Sequence, residues 1–260
     1  MKKITLNVDD LGLSAAVNQA VLQLAQQQRI HSTSFMSLGQ ISTDEVTELK
    51  QQQIEIGLHF DLTGLAQQGS LKNVIFKAFL KQFSPTQLRD LIRKQFDAFE
   101  DQIQAVPIFI DGHQHVHQFP QIRELLVQEV KQRYAQKVAF RNTQPFQTDF
   151  KAKLIYFLGG ATFKKQLQQH QLPFNTAFGG SYDFQANFEQ LKSLWENWFM
   201  QAPNSGSVIM CHPAITDSNW QDEIKTAREC EFAWLSSEEF AQLWQQQQCT
   251  AQTWQHLMQT

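Results

Sequence analysis

The stretch ITLNVDDLGLS, residues 4–14, joins a strand-like run, two carboxylates and a helix start. The alternating apolar run at 4–8 favours a strand. Ser14 is a suitable N-cap, because apolar residues then recur every three or four positions, as in an amphipathic helix. Asp9 and Asp10 lie between the two elements. This succession of strand, polar residues and helix is the repeating unit of an α/β protein.

The same succession recurs along the chain. Strand-like runs are predicted at 31–38, 54–60, 107–111, 137–141, 174–178, 207–212 and, weakly, 249–254. Helices are predicted between them, beginning after Ser42 with Glu45 as a capping-box partner, after Ser84, at Pro120, near Phe188 and after Ser236. This alternation predicts a mostly parallel sheet, open or closed into a barrel, and a single domain, because no linker divides the chain.

Composition excludes several classes of protein. A net charge of −3 gives no basic excess for nucleic acid, and no apolar stretch approaches the roughly 20 residues of a membrane helix. The three cysteines are far apart, which argues against a thiolate zinc site. The N-terminus reads as a strand and not as a signal peptide. We therefore expect a cytoplasmic protein without membrane or nucleic-acid partners, and a homodimer on base rates alone.

Polar residues cluster at the predicted strand ends. They are His59 and Asp61, then Asp111 with His113, His115 and His117, then Arg141 with Asn142, and finally Cys211 with His212. In parallel α/β folds the carboxyl ends of the strands form the functional face. We therefore expect these groups and the Asp9–Asp10 pair to meet, although a strand-ending turn capped by Asp10 is an alternative interpretation of that pair.

Three histidines alternate in DGHQHVHQF, residues 111–119. If this stretch is extended, His113, His115 and His117 project to one side together with Asp111. That pattern suits a metal ion, with Asp111 able to orient one imidazole, but one or two of the rings could bind substrate instead. One carboxylate and two imidazoles from separate strand ends would form an open, three-ligand metal site.

Four motifs in this order resemble the YdjC-like carbohydrate deacetylases of the chitooligosaccharide deacetylase type. NVDDLGLS is similar to the family's N-A-D-D-F-G-L-S, GLHFDLT to G-x-H-x-x-L-T, DGHQHVHQFP to D-S-H-x-H-V-H-x-x-P, and CHPA to C-H-P-G. The resemblance extends from residue 4 to residue 215. It departs from the family pattern at Leu11, Gly112 and Ala214, which leaves the proposed catalytic groups in place.

The resemblance implies an irregular, TIM-like (β/α) barrel forming one catalytic domain over residues 1–260. It implies removal of acetyl groups from N-acetylated sugars with one divalent metal ion. Magnesium is one candidate, whereas a ligand set of one oxygen and two nitrogens favours zinc or another transition metal.

Residue roles also follow from the resemblance. Asp10, His59 and His113 correspond to the metal ligands, Asp9 to the general base and His212 to the general acid, and Arg141 is expected to orient Asp9. A further set is expected to line the site and contact substrate: His115, His117, Asp61 and Trp220.

Two alternatives remain open. A metal-dependent phosphoesterase also uses Asp and His, but it generally needs more ligands or a phosphate clamp, and only Arg141 is evident near the motifs. A non-enzymatic sugar- or metal-binding protein would need neither Asp9 nor His212.

Overall fold

The computed structural model describes residues 1–134 and 138–259. Its eight described strands are all parallel to their neighbours. They are β1 (Lys2–Leu11), β2 (Ser32–Phe35), β3 (Glu55–Phe60), β4 (Phe109–Gly112), β5 (Ala139–Phe140), β6 (Ala177–Gly179), β7 (Ser207–Cys211) and β8 (Cys249–Ala251). Lys137, the first residue of the strand predicted at 137–141, and Thr260 lie outside the described residues.

Seven strands follow the order β5-β4-β3-β2-β1-β7-β6, and β8 pairs with the first residues of β1. The sheet curls into a half-barrel surrounded by helices. Single bridges from Phe140 to Phe174 and from Pro145 to Phe178 connect the two ends of the strand order. The predicted α/β fold with mostly parallel strands in an irregular, TIM-like barrel is therefore confirmed.

The helices pack around this sheet. They are α1 (Ala15–Gln26), α2 (Thr43–Gln51), α3 (Leu71–Phe79), α4 (Pro85–Ile103), α5 (Ile122–Arg133), α6 (Phe150–Ile155), α7 (Ala161–Gln169), α8 (Phe188–Gln201), α9 (Lys225–Leu235), α10 (Glu238–Gln246) and α11 (Trp254–Gln259). A 3₁₀ turn spans His113–Gln118, and a π-helical turn spans Tyr156–Gly160.

The helix starts follow the capping signals with two corrections. Ser42 and Glu45 form the predicted capping box. The helix predicted from Pro120 begins at Ile122, after Gln121 adopts a left-handed φ of 65°. The N-cap of α10 is Ser237, which accepts from Phe240 N, and Ser236 instead ends α9.

The central strands of the sheet are buried on both faces. Every residue of β2, β3, β4 and β7 is buried, as expected for strands covered on both faces. Among the described residues, no helix is long and apolar enough to cross a bilayer.

Candidate active site

A cavity of about 490 Å³ opens at the carboxyl ends of the strands. Its lining joins residues that are far apart in the chain, including Asp9, Asp10, His59, His113, His115 and His212. The structure therefore brings these strand-end residues to one cavity, as the sequence predicted. The apolar part of the wall includes Leu71, Ile75, Ile155, Leu158 and Phe184.

Both carboxylates at the end of β1 reach the site because the strand is irregular there. The register against β2 shifts between Val8 and Leu11, and Asp10 adopts a left-handed φ of 69°. An aspartate tolerates this conformation better than most residues with a Cβ atom. The two adjacent side chains thus approach the cavity from different directions.

Asp10, His59 and His113 converge. Asp10 Oδ1 lies 3.2 Å from His59 Nε2 and 2.9 Å from His113 Nδ1. Asp10 and His59 are buried and His113 is partly exposed. One ligand atom from each lies within 4.8 Å of the others, so this group can hold a metal ion.

The histidine-rich stretch is not an extended strand, and the prediction that its three imidazoles share one side is wrong. β4 ends at Gly112, and the following 3₁₀ turn contains Gln114 and His115 at left-handed φ values of 51° and 59°. The turn directs the rings differently. His113 contacts Asp10, and His115 packs edge-on against Phe178 with ring centroids 5.5 Å apart.

His117 lies behind the cavity wall. It is fully buried, and its Nε2 donates to the carbonyl oxygen of Arg141 at 2.9 Å. Burial lowers its pKa to about 4, so the ring is neutral. This hydrogen bond fastens the 3₁₀ turn to the end of β5, where Arg141 begins its approach to the site.

Asp111 was expected to orient an imidazole of its own histidine-rich stretch, and the ring it orients is that of His59. The two residues are direct partners in the β3–β4 register, and His59 Nδ1 donates to Asp111 Oδ1 at 2.6 Å. This bond leaves Nε2 facing Asp10, the arrangement in which a metal-binding histidine is held by a carboxylate. Burial alone would lower the pKa of His59, but Asp111 and Asp10 raise it to about 10 in the metal-free protein.

Arg141 holds Asp9 in place. Its Nη1 and Nη2 donate to the two Asp9 oxygens at 2.6 and 2.7 Å, and Nη2 also lies 2.5 Å from Asp111 Oδ2. Burial alone would raise the pKa of Asp9, but the guanidinium holds it well below its usual range. Asp9 is therefore an oriented carboxylate anion.

The second anchoring arginine was not predicted. Arg228 on α9 donates from Nη2 to Asp10 Oδ2 at 2.7 Å and from Nε to Asp222 Oδ1 at 3.0 Å. Burial alone would raise the pKa of Asp10, but His113 and Arg228 hold it well below its usual range. One oxygen of Asp10 is thus occupied, and the other faces the histidines.

His212 directly follows β7 and approaches Asp9. Its Nε2 lies 3.9 Å from Asp9 Oδ2, and its backbone N–H donates to Glu231 Oε2 at 2.5 Å. Burial lowers the pKa of His212 to about 4, although Asp9 and Asp10 act in the other direction. The ring is therefore neutral at neutral pH in the metal-free protein.

Glu231 was also not predicted from the sequence. It is buried on α9, accepts from the Tyr182 hydroxyl at 2.7 Å, and has its pKa raised to about 7 by burial. A charged residue on the buried face of an amphipathic helix, between Ala227 and Trp234, was the available signal. The same signal would have found Arg228, one residue beyond Ala227.

Asp61 and Trp220 have other contacts. The Asp61 carboxylate accepts from the backbone N–H groups of Thr63, Gly64 and Ala66 at 2.7–2.9 Å, so it shapes the loop after β3. The Trp220 ring packs under the Arg228 guanidinium, 5.8 Å from its centroid. Neither side chain is part of the cavity lining.

An aromatic ring does reach the cavity from another loop. Phe184, at a left-handed φ of 63°, lines the cavity and packs edge-on against His212 with centroids 5.3 Å apart. Its position after β6 could not be distinguished by sequence from the many core phenylalanines.

The donor chemistry fits a divalent cation at Asp10, His59 and His113. A second combination, Asp9 with His59 and Asp111, is also geometrically close. However, Arg141 occupies both carboxylates of that second group, and Asp111 accepts a hydrogen bond from Nδ1 of His59. The first group is therefore the better candidate, because each residue directs an available donor atom toward the cavity.

A family model described as YdjC-like protein matches residues 3–246. A candidate cellobiose-phosphate cleavage protein from Enterococcus faecalis V583 is similar in structure, with a TM-score of 0.74, 17% identity and 98% coverage of both chains.

Two further solved structures share the fold at greater distance. A peptidoglycan N-acetylglucosamine deacetylase has a TM-score of 0.55 at 13% identity, covering 99% of this chain and 88% of its own. A family 4 acetyl xylan esterase from Clostridium thermocellum, solved with a cobalt ion, has a TM-score of 0.52 at 12% identity, with coverages of 99% and 91%. At these identities the likeness concerns the fold.

Proposed function

The chain belongs to the YdjC-like family, and on that premise we propose that it hydrolyses the N-acetyl group of an N-acetylated sugar or oligosaccharide and releases acetate. The observation that carries this proposal is the arrangement around Asp10. An oriented carboxylate and two imidazoles face a cavity that also holds an anionic Asp9 and a neutral His212. The similar structures described as a deacetylase and an acetyl esterase support the same reaction class.

Asp10, His59 and His113 would hold one divalent metal ion. Such an ion would polarise the acetyl carbonyl and lower the pKa of a water molecule. Arg228 keeps Asp10 in place from behind, and Asp111 keeps the His59 ring in a fixed orientation. A ligand set of one oxygen and two nitrogens favours zinc or another transition metal over magnesium.

Asp9 would accept the proton of the attacking water. Its carboxylate is ionised and is fixed by two bonds from Arg141, so it meets the water in one orientation. Its low pKa makes it a weak base, and the proton must therefore move on quickly.

His212 would deliver the proton to the leaving nitrogen. Because its pKa is lowered to about 4, it begins the reaction neutral and has to acquire a proton during it. Its Nε2 lies 3.9 Å from Asp9 Oδ2, so the proton taken from water has a short path to the departing amine. Tyr182 and Glu231 hold the backbone that carries this ring.

The cavity wall would orient the sugar. The faces of Phe184, Ile155 and Leu158 offer apolar surface, and His115 offers a neutral imidazole, because burial holds its pKa well below the usual value.

Residues 1–260 would form one catalytic domain. His117, Asp61 and Trp220 support the site through their neighbours, while Phe184 replaces Trp220 as the ring expected to contact the sugar.

Acetate release from N,N′-diacetylchitobiose tests the reaction class. Metal-loaded protein should release acetate, lose this activity on chelation and recover it when metal is returned. Phosphate release from p-nitrophenyl phosphate serves as the matched reaction of a phosphoesterase. Phosphate release without acetate release from any N-acetylated sugar would overturn the proposal, and a bound metal without either activity would favour a binding protein.

A further inference from the structure

Two helices at the rim of the cavity expose large apolar side chains to solvent. On α3 and its C-cap residue these are Phe76, Phe79 and Leu80, which are 48–59% exposed. On α6 and the π-helical turn they are Phe150, Leu154 and Phe157, which are 80%, 45% and 87% exposed. Large exposed apolar side chains grouped in this way mark an interaction surface.

Both sets adjoin the cavity. On α6 and its continuation, Ile155 and Leu158 line the cavity, and each directly follows one of the exposed residues Leu154 and Phe157. One residue is about 100° of rotation on a helix, so the exposed stripe lies beside the lining stripe. On α3, Ile75 lines the cavity and Phe76 follows it in the same way.

The two helices are connected across the mouth by the 3₁₀ turn that carries His113. Both α3 and the π-helical turn contact this 3₁₀ turn. Phe79 packs toward Phe119 just after the turn, with ring centroids 6.3 Å apart. The exposed rings therefore form one apolar rim, defined as residues 76–80 and 150–157, on two sides of the opening.

The rim and the residues that flank it are basic, although the chain as a whole carries a net charge of −3. Residues 70–83 contain Lys72, Lys77 and Lys81 and no acidic residue. Residues 150–165 contain Lys153 and Lys165, and also Lys151 and Lys164, which donate to the Tyr182 carbonyl and to Gln144 Oε1 within the protein. Asp149, just before this segment, is the single acidic residue beside it in the sequence. Aromatic and leucine side chains interspersed with lysines are typical of helices that lie in a lipid interface.

We propose that this apolar, basic rim docks the protein on the surface of an anionic phospholipid bilayer, with the mouth of the cavity facing the lipid headgroups. Phenylalanine and leucine side chains would enter the interface, and the lysines would contact lipid phosphates. A second copy of the chain is a poorer occupant, because a two-fold interface would bring the same lysine-rich surfaces against each other. No helix of the described residues could span a membrane, and this surface binding requires none.

Vesicle sedimentation of the full-length, substrate-free protein tests the proposal. Vesicles of equal parts phosphatidylcholine and phosphatidylglycerol should bind the protein, and vesicles of phosphatidylcholine alone should bind it at least about tenfold less, with added salt releasing it. Because neither substrate nor metal is present, the outcome is independent of the proposed deacetylase activity.

Variants locate the binding surface. Phe76→Ser combined with Phe157→Ser should weaken binding to the anionic vesicles by about tenfold or more. Lys77→Glu combined with Lys81→Glu should do the same. The control combines Met200→Ser with Lys192→Glu, since α8 offers an exposed methionine and a lysine away from the rim, and it should bind like the wild type. Circular dichroism and thermal melting confirm that each variant is folded.

Three results would overturn the proposal. The wild type could fail to bind the anionic vesicles, or the folded rim variants could bind them as well as the control does. Light scattering could also show that the wild type is a dimer that the Phe76→Ser, Phe157→Ser variant converts to a monomer without any vesicle binding. In that case the rim is an interface between two copies of the chain.

Discussion

At the residue scale, Asp10 uses its two oxygens for different partners. Oδ2 receives a hydrogen bond from Arg228, and Oδ1 faces His59 and His113. Asp9, the preceding residue, instead receives hydrogen bonds from Arg141 on both of its oxygens. Two buried arginines thus fix two adjacent carboxylates, so one can serve as a ligand and the other as a base.

The Asp9→Asn variant should retain metal binding and lose turnover. We expect the turnover number to fall roughly 10²- to 10⁴-fold, because the amide cannot accept the proton of water. Acetate release and metal content are measured on the same sample, with Asp44→Asn on the surface of α2 as control. An Asp9→Asn protein with full activity would show that Asp9 is not the base.

Metal binding should release a proton from His59. The pKa of this ring is raised to about 10 in the metal-free protein, so at any lower pH a metal ion must displace a proton. The apparent affinity should therefore increase about tenfold per pH unit between neutral pH and pH 9. Calorimetry in two buffers of different ionisation enthalpy reports the proton count. An affinity independent of pH over this range is incompatible with a protonated His59.

The sequence could predict the site residues that follow strands, but not the residue that a helix supplies to hold them in place. Asp9, Asp10, His59, His113 and His212 follow strand-like runs, and strand ends of a parallel sheet converge. Arg228 lies on a helix 218 residues after Asp10, and no local sequence pattern predicts a contact between residues so far apart in the chain. The buried face of α9 carries the only hint, in the form of charges at positions that should be apolar.

At the element scale, the 3₁₀ turn after β4 decides which histidine reaches Asp10. Left-handed residues at Gln114 and His115 rotate the chain, so His113 faces the cavity and His117 faces the interior. Glycine or asparagine usually marks such a conformation, and this stretch has neither at those positions. Alternation of the histidines therefore suggested an extended chain that the structure does not contain.

The β3–β4 pairing depends on a glycine beneath an aromatic ring. A Cβ atom on Gly57 would lie 2.5 Å from Cζ of Phe109, whose ring stacks on Trp254 with centroids 4.3 Å apart. Gly57→Ala should therefore lower the free energy of unfolding by about 1–3 kcal/mol. Urea denaturation measures this change. Phe109→Leu made in the Gly57→Ala background should recover part of the loss, and a Gly57→Ala protein as stable as the wild type would contradict the packing described.

At the scale of the whole molecule, the curled sheet brings ionisable side chains together, and neighbouring elements supply arginines that pair with the carboxylates. Strands β1, β3, β4 and β7 place carboxylates and imidazoles at one edge, while β5 and α9 supply the two arginines. The alternation of strands and helices predicted a mostly parallel sheet, open or closed into a barrel, and the family resemblance implied the irregular barrel. The helices α3 and α6, which border the cavity, were not predicted, although Leu71, Val74, Ile75 and Ala78 of α3 recur at helical spacing and face the core.

Acid should destabilise the protein in part through His31. This ring packs near Trp244 and accepts from Leu6 N, and burial lowers its pKa to about 4. The unfolded chain has the ordinary value of about 6.5, so it binds the proton more tightly, and stability is lost as pH falls from about 6.5 toward 4. Glu55 and Glu231, whose pKa values are raised by burial, act in the opposite direction.

A His31→Gln variant separates these effects. The free energy of unfolding of the wild type, minus that of the variant, should decrease as pH falls from 7 to 5, by up to about 1.4 kcal/mol per pH unit. Urea denaturation at several pH values gives this difference. A difference that stays constant over the range would show that His31 does not titrate with folding.

The most direct test of the proposed metal centre is the number of divalent ions bound per chain, measured by calorimetric titration of metal-free protein with Zn²⁺. Wild type and His117→Gln should each bind one ion tightly, whereas His113→Gln and His59→Gln should lose tight binding. His117 is the matched control, because it belongs to the same histidine-rich turn but faces the interior. Equal binding by His113→Gln and His117→Gln, or no binding by the folded wild type, would contradict the assignment of Asp10, His59 and His113 as the metal centre.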